Sequence, residues 1–362
     1  MRVPTQRLRF TDGYVQIDGS VGEGGGQIVR TACALSALTG VGCRIRRIRA
    51  GRGNPGLRAQ HCTAILGLSR LCGAETSPLR IGAQELTFSP STIRHTRLEL
   101  DTGTAGSVSL VFQALLLASL GAAGVVDLTL RGGTDVPGAP SCDYVKNVKL
   151  EMLERMGVRV DFRLLKRGYF PAGGGIVRAS VQPCGEGLLA PLILREEAGE
   201  AVGSWGVSHA AGTSGRHREA DRQKRFAERL LTDALHVPAR VVTEVGPARS
   251  PGSGLVLWAR TEDSVIGASA LGKEGKNGKD VAEEAVERLV RTYHARASTD
   301  PWLGDQILPY LALSRGPSVI SVPRLTRHMK TSMWLIQQFL NVRFFCEEKE
   351  LRTVVHCIPA DD

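Results

Sequence analysis

The chain has 362 residues, 42% hydrophobic and 23% charged, a soluble globular composition long enough for two domains. Lys and Arg outnumber Asp and Glu by 46 to 36, and the resulting net charge of +10 favours a polyanionic partner. Eight scattered cysteines with no CxxC and no zinc-type spacing to His exclude a zinc finger, and a chain this long needs no disulfide framework.

Residues 1–10 are polar and lack the apolar stretch of a secretory signal. With the cysteines read as reduced core thiols, this predicts an intracellular protein, cytoplasmic or, in a eukaryote, nuclear. A glycine-rich turn, Gly22-Glu-Gly-Gly-Gly-Gln27, opens an apolar helix expected over residues 26–38. Such a loop turns backbone amides toward an anion. It lacks the Gly-Lys-Ser/Thr ending of a Walker A loop and does not match the GxGxxG dinucleotide fingerprint. Glu23, ringed by glycines, offers a hard oxygen ligand to a divalent cation bridging phosphates; the alternative is a tight turn with a helix-capping carboxylate. A strand follows at 42–48 and a helix at 56–71. Residues 44–58 carry Arg44, Arg46, Arg47, Arg49, Arg52 and Arg58 among glycines and a proline. The planar guanidinium suits phosphate, so phosphate or RNA contact is expected here rather than a merely basic turn.

The order helix, strand, helix, strand recurs at 105–120, 125–130, 143–156 and 158–164. It recurs again at 305–313, 318–322, 327–339 and 342–346, with Gln27, Gln113 and Gln306 each in or opening a first helix. Residues 108–126 carry no charge and mimic a membrane span. Ser109, Gln113, Ser119, Gly121 and Gly124 interrupt them, which predicts a buried helix turning into a strand and no membrane partner. The self-similarity predicts an α+β fold of α/β-type repeats, built from three βαβ-like units. The even spacing breaks over 183–280. That stretch shows an amphipathic helix at 216–231, strands at 239–245 and 254–260, and a basic turn at 272–279. The expected division is therefore 1–182 for two repeats, 183–280 for a small inserted α+β domain, and 281–362 for the third repeat. A helix at 280–293 is expected to start at Asp280 as N-cap, with Glu283 at capping-box distance. The basic run 216–225 reads as a solvated helix face rather than an RNA site.

Three later segments carry chemistry. In Gly132-Gly-Thr-Asp135-Val-Pro-Gly-Ala-Pro140, two prolines stiffen a loop ahead of a helix, and Tyr144 is placed to pack on a nucleobase. Trp302, Asp305 and Gln306 offer a ring, an acid and an amide to a base and ribose, or simply a helix capped by Asp305. His328 opens an apolar helix, whose N-terminus disfavours a protonated imidazole. The neutral ring is the nucleophilic form, and the helix amides and Arg327 steady phosphate charge; a polar capping residue is the alternative. Singly, each segment has an ordinary structural explanation.

Together and in this order they resemble the RNA 3′-terminal phosphate cyclase family. The most specific pieces are Gly22-Glu-Gly-Gly-Gly-Gln27, Arg52-Gly-Asn-Pro-Gly-Leu57 with Gln60-His61, and Gly132-Gly-Thr-Asp135. Gly168-Tyr-Phe-Pro-Ala-Gly-Gly-Gly175 and the Asp305-Gln306 and His328 segments complete the set. The resemblance implies a large domain of three repeats, like the C-terminal domain of bacterial translation initiation factor three, with a small inserted domain. It implies an ATP-dependent, ligase-class enzyme that converts an RNA 3′-phosphate to a 2′,3′-cyclic phosphodiester through enzyme-histidinyl-AMP and RNA(3′)pp(5′)A. His328 would be the nucleophile and Glu23 the ligand of a divalent metal, Mg2+ or Mn2+. Arg30, Arg49, Arg52, Gln60 and Gln113 would contact phosphate and the RNA end. Pro140, Tyr144, Trp302, Asp305 and Gln306 would form the adenylate pocket. Trp302 stands where the family commonly has tyrosine, Arg327 and Lys330 make the histidine's surroundings more basic, and the insert matches poorly. A cyclase-like scaffold of ribosomal RNA processing and small-subunit assembly, which lacks the histidine, is the alternative. An enolpyruvate-type transferase on repeated βαβ units is a second. Oligomeric state and cellular RNA substrates are left open.

Overall fold

The computed structural model describes residues 10–94, 96–184, 189–212 and 216–359, so nearly all of the polar N-terminal stretch lies outside it. Four mixed α/β layers result. In the first, β1 (Phe10–Thr11), β2 (Tyr14–Asp18), α1 (Gly26–Thr39), β3 (Gly42–Arg46), α2 (Ala59–Cys72), β4 (Glu75–Thr76) and β5 (Leu86–Ser89) give a sheet of order β1-β2-β3-β5-β4. Strands β2 and β3 are parallel because α1 carries the chain back between them. Helix α1 stops at Gly40 (φ +74°), whose left-handed conformation returns its N–H to the Ser36 carbonyl.

The second layer repeats the scheme with β6 (Thr96–Asp101), α3 (Val108–Ser119), β7 (Val126–Gly132), a broken helix, β8 (Val160–Lys166) and β9 (Gly175–Val181), in order β6-β7-β9-β8. The uncharged stretch 108–126 is α3, a turn and the start of β7. Nearly every residue of α3 is buried, because α1 and α2 flank it. The broken helix runs through α4 (Cys142–Tyr144), a π-helical turn (Val145–Lys149) and α5 (Leu150–Arg155). Among the described residues, no helix is long and apolar enough to cross a membrane.

The insert forms its own sheet and core. Strands β10 (Gly203–Ala211), β11 (Ala239–Gly246), β12 (Gly252–Arg260) and β13 (Val265–Leu271) pair in order β11-β10-β12-β13, covered by α6 (Arg216–Leu235) and α7 (Gly278–His294). Ala227, Leu231, Leu257, Val281, Ala285 and Leu289 belong to a hydrophobic cluster separate from the main one. Helix α7 supplies part of that cluster, so a domain boundary at 280 falls inside the unit it was expected to close. Its N-cap is Asn277, with Asp280 completing the capping box (Asn277 N–H to Asp280 Oδ2, 3.1 Å), not Asp280 itself.

The last layer holds α8 (Pro301–Leu311), β14 (Ser318–Val322), α9 (Arg327–Ile336), β15 (Val342–Glu348) and β16 (Thr353–Pro359), with sheet order β14-β16-β15. Leu189 and Ile193 make parallel bridges to Ser314 and Val319. The strand position that pairs with β14 therefore precedes the insert, which interrupts this layer between that position and α8. Helix α8 begins with Pro301 behind an Asp300 N-cap, which accepts from Trp302 N (2.9 Å) and Leu303 N (3.1 Å). Asp305, expected as the cap, sits one turn inside, its carboxylate free for other partners.

Candidate active site

Helices α1, α3, α8 and α9 converge with the β3–α2 loop and the insert around a cavity of about 860 Å3. It is the size of a nucleotide-class pocket. Every residue assigned to the site from sequence lines it except Tyr144. The tyrosine is fully buried; its hydroxyl donates to both Asp300 oxygens (2.7 and 2.9 Å), and its ring meets Trp302 edge-on at 5.7 Å. It backs the tryptophan and does not line the cavity, unlike its expected place on the base.

His328 is the second residue of α9, behind the Thr326 N-cap, and 42% of its side chain is exposed. Gln27, in the first turn of α1, fixes the ring. Its Nε2 donates to Ser332 Oγ and, at 3.4 Å, to the His328 carbonyl. Its Oε1 is thereby turned to His328 Nδ1, 2.5 Å away. With Gln27 oriented this way, Nδ1 carries a proton and donates to Oε1. Nε2 faces Glu23 Oε2 at 2.8 Å, while Arg52 holds Oε1. Burial, with the charges of Arg52 and Arg30, holds His328 below its usual pKa against the opposing pull of Glu23.

The glycines around Glu23 have steric causes. Gly22 (φ +62°) lies against Thr331, whose hydroxyl accepts from Glu23 N at 3.2 Å. A Cβ at Gly26 would collide with the His61 ring. His61 is buried, accepts from Arg58 N at 2.9 Å, and is pushed down to about 2 by burial and by Arg30, Arg49 and Arg58, so it stays neutral. Ala at a helix position usually stabilises relative to Gly. Gly26→Ala is expected to reverse that sign and lower stability by about 1–3 kcal/mol, the cost of overpacking. Denaturant unfolding tests it, and an unchanged midpoint would refute the steric role.

Cations dominate the same wall. Arg30 is buried on α1, its pKa lowered to about 10 by burial and Arg49, and it remains charged at neutral pH. Arg49, with left-handed backbone (φ +53°), donates to the carbonyls of Asn54 (2.6 Å) and Gly56 (2.9 Å), which clamps the loop carrying Arg52. Gln60 Oε1 accepts from Ser107 N at 2.9 Å and ties α2 to the start of α3.

One face of α8 presents Trp302, Asp305 and Gln306 to the same cavity. Gln113 Nε2 donates to Gln306 Oε1 at 2.5 Å, and Gln306 Nε2 to the Trp302 carbonyl at 3.0 Å. Burial pushes Asp305 up to about 7, although the Thr326 hydroxyl donates to it. Pro140 lines the rim, its carbonyl accepting from Ser109 Oγ at 2.6 Å.

Sequence reasoning assigned no role to Gln27, Asp300 or Lys149. Asp300 had a signal, Asp before Pro ahead of an apolar helix. Lys149 had none, because a π-turn sets its direction. Its side chain is buried, its ammonium lies 5.2 Å from the centre of the Tyr310 ring, and burial lowers its pKa from 10.5 to about 7. Below pH 7 the fold bears the full cost of burying charge, and that cost fades as pH rises toward 10.5. Lys149→Met is therefore expected to raise unfolding free energy at pH 7 by a few kcal/mol, at about 1.4 kcal/mol per pKa unit. The gain should shrink at pH 9. A variant no more stable than the parent at pH 7 would sink this account.

Glu23 carries the hard oxygens that Mg2+ takes from one or two carboxylates plus substrate phosphates; here Oε1 is held by Arg52 and Oε2 faces His328. A second cluster with suitable donors, Asp135, Asp143 and His209, is buried away from the cavity. There Arg167 donates to Asp143 (2.7 Å) and Asp135 (3.3 Å) and also pairs with Glu244. Arg167 is shared between these carboxylates and Glu244 of the insert, so this cluster docks the insert.

A family model described as RNA 3′-terminal phosphate cyclase matches residues 21–346. The chain is similar to the RNA 3′-terminal phosphate cyclase of Pyrococcus furiosus, 42% identical over 91% of this chain and 94% of that protein. Proteins of the same name from Methanopyrus kandleri (41%, over 93% and 96%) and Archaeoglobus fulgidus (43%, over 90% and 95%) match equally well. A crystal structure of the enolpyruvyl transferase NikO from Streptomyces tendae aligns at 12% identity over 99% of this chain and 57% of its own, with a TM-score of 0.24, too low to mark a common fold.

Proposed function

This chain belongs to the RNA 3′-terminal phosphate cyclase family, and we propose that it converts an RNA 3′-phosphate to a 2′,3′-cyclic phosphodiester using ATP, with His328 as nucleophile. The observation that carries this reading is the pairing of His328 Nδ1 with Gln27, which turns Nε2 toward Glu23 at a cavity lined by Arg30, Arg49 and Arg52.

The proposed sequence has three displacements. His328 Nε2 attacks the α-phosphorus of ATP, and the bond to the bridging oxygen breaks as pyrophosphate leaves. An oxygen of the RNA 3′-phosphate then attacks the same phosphorus, frees the histidine and forms RNA(3′)pp(5′)A. Finally the adjacent 2′-hydroxyl attacks the 3′-phosphorus, loses its proton and expels AMP. Such transfers are catalysed chiefly by positioning and charge neutralisation. The arginines neutralise, and Gln27 and Thr326 position. Trp302 and Pro140 would flank the adenine, Gln306 would bond the nucleotide, and Gln60 and Gln113 would bond the RNA end. Glu23 would hold a divalent cation, which neutralises phosphate charge when bound.

An architecture of three repeats like the C-terminal domain of initiation factor three, with the insert in the third, accounts for the recurring parallel pairs and for the Ile193–Val319 bridge. Incubation with α-labelled ATP and a divalent metal tests the reading, because the enzyme should acquire covalent AMP. A parent protein that takes no label would favour the non-catalytic scaffold.

A further inference from the structure

We propose that an arginine stripe on α6, in the insert, is a docking track for the phosphates of the substrate RNA upstream of its 3′ end. The proposal rests on the RNA cyclase reading and extends it to a surface outside the cavity.

Arg218, Arg222, Arg225 and Arg229 fall at i, i+4, i+7 and i+11 and are all exposed. At 100° per residue they share one narrow face, opposite the buried Ala220, Ala227 and Leu231, and span roughly 16 Å along the axis. A basic helix face is usually mere solvation, and the neighbouring helix shows what that looks like. On α7, Lys279 pairs with Glu283, Arg288 with Glu284 and Arg291 with Glu287, each one turn apart. On α6 the four stripe arginines pair with no carboxylate among the described residues; Arg229 only overlies the Phe226 ring, and the Lys224–Glu228 pair (3.9 Å) lies off the stripe. One domain thus neutralises one helix and leaves its partner charged.

The stripe also leads somewhere. The first turns of α6 touch the start of α7, where a Cβ on Gly278 would meet Glu219 and Gln223. The loop entering α7 contributes Lys273 and Lys276 to the cavity wall. Helix α6 therefore packs beside the loop that lines this side of the cavity, where Lys273 stands and Lys276 is paired with Glu284. A single strand whose 3′-phosphate lies in the cavity is the polyanion that complements this arrangement.

The test replaces all four arginines with glutamine, a residue that keeps the helix. For a 3′-phosphorylated RNA of about 20 nucleotides, KM should rise at least tenfold. The slope of log affinity against log salt should flatten by about 3, four contacts at roughly 0.7 each. A 3′-phosphorylated dinucleotide, too short to reach α6, should keep its KM, and self-adenylylation should be unchanged, which also reports an intact fold. Unchanged affinity for the long RNA, or equal losses on both lengths, would overturn the proposal. If the parent never adenylylates, the cyclase reading fails, while equilibrium binding of the two RNAs still decides the stripe.

Discussion

His328→Ala is expected to lose covalent AMP from α-labelled ATP by at least about a thousandfold, the scale seen when a nucleophile is deleted outright. The substitution removes the nitrogen that would form the P–N bond, and its neighbours supply no substitute. Glu23 is held by Arg52, and Lys149 lies against Tyr310 on a different wall of the cavity. The bond formed by the parent should be acid-labile, as a phosphoramidate is. Folding should change little, because the ring is partly exposed and α9 keeps its Thr326 cap. The decisive measurement is gel-resolved labelling of both proteins at saturating ATP. A variant labelled as strongly as the parent would move the nucleophile elsewhere and leave the cavity with binding alone.

The second large effect concerns a residue that touches no reacting atom. Gln27→Met keeps the length of the side chain and deletes the carbonyl that accepts from His328 Nδ1. The proton then distributes between the two ring nitrogens, the free-Nε2 tautomer loses population, and the ring gains rotational freedom. In a serine protease triad, losing the orienting carboxylate costs roughly ten-thousandfold. A neutral amide contributes less, so a ten- to hundredfold slower adenylylation is expected, with half-saturating ATP unchanged. Single-turnover labelling across ATP concentrations separates the two quantities. A shift confined to half-saturation would make Gln27 a nucleotide contact instead of a positioning residue. Gln27→Glu should recover part of the rate, since its carboxylate also accepts from Nδ1.

How much of this was readable beforehand depends on where each signal lives. Helices with periodic apolar faces, such as α1 and α9, and strands bounded by turn residues, such as β14, follow from local pattern. So do the glycines, because a crowded loop leaves a mark in composition. What escaped is set by distant packing. The Thr96–Asp101 strand carries a clean alternation, with Leu98 and Leu100 buried, yet it lies in a long loop-like stretch and is recognisable only beside β7. Tyr144 was placed on a ligand because its spacing from Pro140 suits stacking. Nothing in the sequence says that Asp300, 156 residues on, takes its hydroxyl and draws the ring inside. The partnership of Gln27 with His328 spans 301 residues and is equally invisible to local reading. The helix containing Lys149 was expected from its pattern, but the wide turn that directs the lysine was not.

The point where the insert leaves and rejoins the chain has a mechanical consequence. Ala198 N donates to the carbonyl of Arg296 at 2.8 Å, and Glu197 pairs with Arg296 beside it, so both crossings are laced together at one place. The insert is held at more than this crossing, because Val207, Val256, Trp258 and Val265 of its sheet belong to the main hydrophobic cluster. Part of the cavity wall, from Ser269 to Arg288, is carried by the insert, and Arg167 joins Asp143 to the insert's Glu244. The position of that wall is therefore set by apolar packing and this ion cluster together, and not by the crossing alone.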